Sequence, residues 1–446
     1  MSLDGFLTFL TLIIAAYTIV PSVNRLRLRL HFLWPAIVSI VGFCLVIYFE
    51  FFSLLAIPCP AVLRSACAHI TITAQSPIDA PRAAFIVVIV WLALAWAGFS
   101  RSRLAAHNLP TLAKLAAELA YEARYAELTK LIEPHLRLLD RAATRKLRHI
   151  VMRERLIEMN PANRPAYKLV EDAEKAEPSF EERPAWYRLL AITIARLAAL
   201  LPNGQRAEEA AEEIFRVLFQ TLAMVAFIAM SRPHFGIKLL ACSVYGVQEF
   251  CDDYLRVMIA NPGSSLYNEI KQNQNISSRS GYSFPEHNRL LHFLFADAKR
   301  AEKLGVWKPM GEFLISALRP DTSHAYIRLL NGSPDSLKEE QWTDRTFVVI
   351  RFFDLMVTAA EYQGIRWHMW LYYFPFFVDG LLAVYDDTGK GIDLTERLPT
   401  RAAHLIQELF SVLTGWIRVV PHLPPESPHL SPEAISLSHE NGNIPK

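Results

Sequence analysis

Several local signatures that would announce a chemistry are missing from this chain. It contains no GxxxxGK[ST] phosphate loop, no GxGxxG turn, no HExxH zinc helix and no CxxC pair. Phosphate-loop nucleotide hydrolases, Rossmann dehydrogenases, zincin proteases and CxxC modules therefore lose their usual markers. Glycine is scarce, with 17 residues against 27 prolines in 446, which suits helices with proline-marked ends better than turn-rich β structure. Charge of one sign is lacking as well. A formal net charge of +2 excludes a globally basic nucleic-acid binder, so nucleic acid is not an expected partner. No repeat of fixed period occurs, so a solenoid is not expected.

What the chain does have is apolar residues, 52% of the total. Three runs stand out near the amino terminus. Gly5 to Val23 carries no charge, Phe32 to Ile57 carries only Glu50, and Ala83 to Phe99 carries none. As helices each spans roughly 25 Å or more, enough for a hydrocarbon core with some thinning or tilt. The first run has no basic residue before it and so lacks the start of a cleaved signal peptide.

Flanking arginines orient the runs. Arg25, Arg27 and Arg29 lie between the first two, and Arg101 and Arg103 follow the third, whereas only Arg64 and Arg82 lie on the other side. The positive-inside bias then places the amino terminus and the 58–82 loop outside, and everything after Phe99 in the cytoplasm, as in a bacterial inner-membrane protein. The expected organisation is mainly α. Three transmembrane helices (5–23, 32–57, 83–99) occupy residues 1–103, and a large α-helical cytoplasmic domain covers 104–420, with a sub-boundary near 202–206. A proline-rich tail fills 421–446.

Candidate residues follow from this layout. Glu50 is the one intramembrane charge; it either pairs near the outer interface, for instance with Arg82, or serves conduction. Cys59 and Cys67 share the outward loop and could form a disulfide or stay free thiols. Arg141, Arg145, Arg148 and Arg155 recur at helical spacing and are expected on one helix face, either solvated or against anionic lipid headgroups.

Farther along, the apolar run Ile214 to Met230 is interrupted by Arg216 and Gln220, and reads as a buried helix rather than a span. Glu249, Asp252 and Asp253 form a carboxylate cluster that Arg256 favours as a salt-bridge network over a metal site. His234 and the polar stretch from Tyr267 to His287, expected as a long loop, complete the polar region that an enzyme would use. Arg351 and Asp354 are spaced for a pair on one helix face.

The stretch Trp367-His-Met-Trp-Leu-Tyr-Tyr-Phe-Pro-Phe-Phe-Val378 is the most aromatic in the chain. Arg366, His368 and Asp379 leave too short a charge-free run for a span. It reads as a core or membrane-docking helix, kinked at Pro375, with a polar seam of His368, Tyr372 and Asp379. The final expected helix carries an apolar stripe from Leu405 to Val420.

No metal or cofactor is expected. The favoured function is a membrane-anchored interaction, sensor or scaffold protein, with the bilayer and a protein partner or second copy as its contacts. A membrane-bound enzyme or ligand-binding protein is the alternative, and a gated conducting oligomer the third.

Overall fold

A computed structural model describes residues 37, 40–45, 85–91, 93–94, 104–160, 185–273, 284–319, 324–332, 340–365, 369–386 and 397–419. It is mainly helical, 81% helix, with no strand among the described residues. The chain divides into two compact units, Met1–Ile214 and Phe215–Lys446. The expected span 5–23 and the tail 421–446 lie outside the described residues, and the other two spans are described only in part. Among the described residues no single helix is long and apolar enough to cross a membrane.

In the first unit, residues 40–45 and 85–91 are helical. They meet at Gly42, where an added Cβ would lie 3.0 Å from the Trp91 ring. Gly42 and Val88 are buried, while Ile40, Val41, Phe43, Phe85, Ile86, Ile89 and Val90 are exposed. The pair therefore has a small contact seam and an apolar outside.

The described chain resumes with α1 (Leu109–Tyr121), which starts with Pro110 in its first turn and buries Leu109, Leu112, Leu115, Ala116 and Leu119. Ala123 then adopts a left-handed φ of 55°, and the Arg124 amide turns back to the Leu119 carbonyl. This closure splits the Ala/Leu/Glu-rich run into a helical hairpin, with α2 (Tyr125–Ile132) packed on α1. A 3₁₀ turn containing Pro134 leads into α3 (Leu136–Ala143), and α4 (Arg148–Met159) follows.

The expectation of one basic helix face fails at the link between α3 and α4. The Thr144 hydroxyl donates to the Asp140 carbonyl, Arg145 adopts φ 55°, and the Lys146 amide donates to the Arg141 carbonyl. Arg141 therefore belongs to α3, Arg145 to the turn, and Arg148 and Arg155 to α4. Arg145 itself faces Glu208 at 3.4 Å and Glu154 at 3.8 Å. Helical spacing along a sequence says nothing once the helix stops. In this unit α5 (Ala185–Leu200) packs against α4.

The division between units falls within α6 (Gln205–Gln220). The apolar run that begins on α6 does not continue straight, because α7 (Leu222–Ser231) leaves at 76°. Met224, Val225 and Ile228 of α7 are fully buried and α7 packs on α9 (Val247–Ala260). Between them, α8 (Pro233–Leu240) approaches α9 through Gly236. A Cβ there would come 2.4 Å from the Tyr254 ring, whose hydroxyl donates to the Pro233 carbonyl.

The first part of the polar stretch after Asn261 is not loop. Residues 265–272 form α10 (Ser265–Gln272), burying Leu266, Tyr267 and Ile270 against its neighbours. The 3- and 4-residue spacing of those three apolar positions outweighs the polar composition around them. Three short helices follow, α11 (Arg289–Phe295), α12 (Ala298–Leu304) and α13 (Trp307–Ala317), then α14 (His324–Leu330).

The centre of the second unit is α15 (Arg345–Tyr362). Its neighbours are α9, α10, α11, α12, α13 and α17 (Arg401–Val419), so it is apolar nearly all round. Phe352 stacks edge-on to Phe295 at 5.2 Å, and Phe353 to Phe377 at 5.2 Å. Phe377 lies on α16 (Tyr373–Val384), the helix made by the aromatic stretch.

Trp370, Phe374, Phe377, Leu381 and Val384 are buried at alternating four- and three-residue intervals. Trp370 sits in a 3₁₀ turn before α16, and Pro375 stands in the first turn of that helix. There its missing N–H would have had no intrahelical acceptor, so proline starts the helix instead of kinking it.

Candidate functional site

Polar groups inside the second unit gather at the ends and along one side of α15. At its start, Asp344 caps the helix: its carboxylate accepts from the amides of Thr346 at 2.8 Å and Phe347 at 3.0 Å. The Tyr326 hydroxyl from α14 donates to the same carboxylate at 3.2 Å, and the Arg345 guanidinium lies 4.6 Å above the Tyr326 ring. Nearby, Arg401 pairs with Glu340 at 2.9 Å. Burial raises the Asp344 carboxyl, and the amides and Tyr326 oppose that rise. This cluster is saturated with partners and reads as a brace.

Farther along α15 the polar groups are less evenly matched. Arg351 donates to Asp354 at 3.1 Å, and its other terminal nitrogen lies 2.9 Å from Glu408 of α17. The Trp416 indole N–H donates to the second Asp354 oxygen at 3.1 Å. Two turns beyond Asp354 comes Glu361, whose Oε2 is buried without a hydrogen-bond partner.

The seam thus holds one guanidinium and three carboxyl groups. Burial, and then the charge of Asp354, push the Glu361 carboxyl up to about 8. Burial also raises Asp354, against the pull of Arg351 and Trp416. A carboxyl group raised in this way can exchange a proton near neutral pH, so the arrangement could act chemically as an acid on α15.

The residues singled out from sequence are scattered differently. Glu50, Cys59, Cys67 and His368 lie outside the described residues. Glu249 is exposed on α9, Asp252 lies 3.6 Å from Lys308 of α13, and Arg256 lies 3.2 Å from Glu312. Asp252 therefore faces a cation from another helix, and among the described residues no group of three His, Cys, Asp or Glu side chains is arranged to hold a metal ion. Tyr372 and Asp379 are exposed.

Sequence reasoning found the Arg351–Asp354 pair but missed Glu361, Glu408 and Trp416 as its associates. Glu361 carried a signal, since it is the acid that ends the apolar run of α15. Glu408 and Trp416 carried none, because only the packing of α17 on α15 brings them there. Comparison with family models, with curated proteins and with solved structures finds no match.

Proposed function

We propose that this chain is a membrane-anchored helical interaction protein, which presents a large α-helical domain at the cytoplasmic face of a bilayer and assembles there with a protein partner or a second copy. The single observation that carries the reading is the helix pair around Gly42 and Trp91. Its small residue lies in the seam and its large apolar side chains point outward, an arrangement that suits lipid and is costly in water. The arginine asymmetry of residues 1–103 supplies the orientation, with the amino terminus and the loop bearing Cys59 and Cys67 outside.

The test uses single-cysteine variants of the full chain in intact bacterial cells and a membrane-impermeant maleimide. A cysteine at 59 or 67 should be labelled from outside, and one at 242 only after lysis. Labelling of 242 in intact cells overturns the orientation, and release of the protein by alkaline carbonate overturns the anchoring.

The Glu361 seam favours one second reading, a ligand-binding or catalytic protein whose polar site lies between α15 and α17. It predicts that a bound small molecule changes the protonation of Glu361, read as proton uptake or release in calorimetry repeated in buffers of different ionisation heat.

A further inference from the structure

Helix α5 (Ala185–Leu200) carries an apolar face that is exposed along its length. Ala191 and Ala198 are buried, on the side that packs on α4. On the other side, Trp186, Leu189, Leu190, Thr193, Leu197 and Leu200 form one stripe at spacings of three and four, and all six are exposed. Leu200 is 80% exposed, Trp186 66% and Leu189 64%. The Thr193 hydroxyl in the stripe is already satisfied, since it donates to the Leu189 carbonyl at 2.7 Å.

Charge decides between occupants. Helix α5 has no acidic residue, and Arg196 is exposed at the edge of the stripe. With α4 included, the helix pair carries five arginines (148, 153, 155, 188 and 196) against two glutamates (154 and 158). One of those glutamates, Glu154, faces Arg145. A second copy docked symmetrically on this face would set the same excess of arginine against itself, five arginines and two glutamates on each side. Anionic headgroups complement it, and the tryptophan at one end of the stripe is the side chain that prefers the interfacial zone.

We infer that α5 lies in the headgroup region of an anionic bilayer with its Trp186–Leu200 stripe turned into the acyl chains, as a second membrane contact besides the amino-terminal helices. The inference rests on the anchored reading above. The bilayer would hold the first unit at two places, and the anionic lipid content would set how firmly α5 is seated.

The test is electron paramagnetic resonance on the full chain in nanodiscs of phosphatidylcholine with a minority of phosphatidylglycerol. Nitroxides are placed one at a time by Leu189→Cys, Leu197→Cys, Ala195→Cys and Ile89→Cys, with the native cysteines replaced. Labels at 189 and 197 should be open to oxygen and shielded from a water-soluble nickel chelate. The label at 195, on the opposite side of α5, should be open to the chelate. Omitting phosphatidylglycerol should reduce the depth at 189 and 197.

Chelate access at 189 and 197 overturns the inference, as does spin–spin broadening there, which would mark a second copy. Undiminished depth in pure phosphatidylcholine overturns its anionic part. The label at 89 separates the two ideas: if it too is open to the chelate, the anchored reading itself has failed.

Discussion

Replacing Glu361 by glutamine should make the protein more stable at alkaline pH and leave it nearly unchanged at pH 5. An exposed glutamate ionises near 4.5, whereas burial and Asp354 hold Glu361 un-ionised up to about 8. Below pH 4.5 folded and unfolded chains both keep this proton, so it adds no pH dependence. Between 4.5 and about 8 the unfolded chain has lost the proton and the folded chain has not, so stability falls as pH rises. Above pH 8 the loss is complete.

Taken without screening, the gap corresponds to about 5 kcal/mol; the residue as a whole is only partly buried, and solvent reduces this to about 1–2 kcal/mol. In a unit of this size that is roughly 2–8 °C of melting temperature. Glutamine has the shape of the protonated acid and cannot ionise. Thermal melts of both proteins in detergent from pH 5 to 9, followed by intrinsic fluorescence, should therefore converge at the acid end and separate at the alkaline end, E361Q melting higher. Other acids raised by burial, such as Asp344 and Glu269, contribute equally to both curves. Parallel curves, or an E361Q protein that melts lower at pH 8, would refute the account.

Other outcomes follow from contacts elsewhere in the second unit. Trp416→Phe removes the indole donor to Asp354 and should cost about 1–3 kcal/mol, seen as a lower denaturant midpoint with an unchanged slope. Asp344→Ala strips the cap of α15 and the acceptor of Tyr326; a loss of about 1–2 kcal/mol is expected, with Asp344→Asn less damaging, and equal losses in the two variants would argue against a capping role. Gly236→Ala drives a methyl into the Tyr254 ring and should cost about 1–3 kcal/mol, whereas Gly263→Ala meets nothing within 4 Å and serves as the control.

How much of this was readable in advance depended on the range of the interaction. Short-range patterns read well. Of the face expected from Trp367, Trp370, Leu371, Phe374, Phe377 and Val378, the residues Trp370, Phe374 and Phe377 are buried and Leu371 is exposed, and Arg351 with Asp354 announces a pair one turn apart. The same logic misled where a helix ended unannounced. Four arginines at helical spacing became residues of two helices and a turn, because Arg145 takes a left-handed conformation that no periodicity signals. Polar composition likewise hid α10, whose three buried apolar side chains are enough to hold it.

The sequence by itself determined the helical character of the chain, the balance of its charge, and which faces of its helices are apolar, because these depend on residues within a few turns of one another. Only the tertiary structure decided that Arg351 of α15 would meet Glu408 of α17 and Asp354 would meet Trp416, and that the Oε2 of Glu361 would be buried without a hydrogen-bond partner. It alone decided, too, that the Leu189, Leu197 and Leu200 side of α5 would be exposed while Ala191 and Ala198 were buried. Each outcome depends on the desolvation and charge supplied by elements distant in sequence, and a carboxyl group or an apolar stripe takes its meaning from what is placed against it.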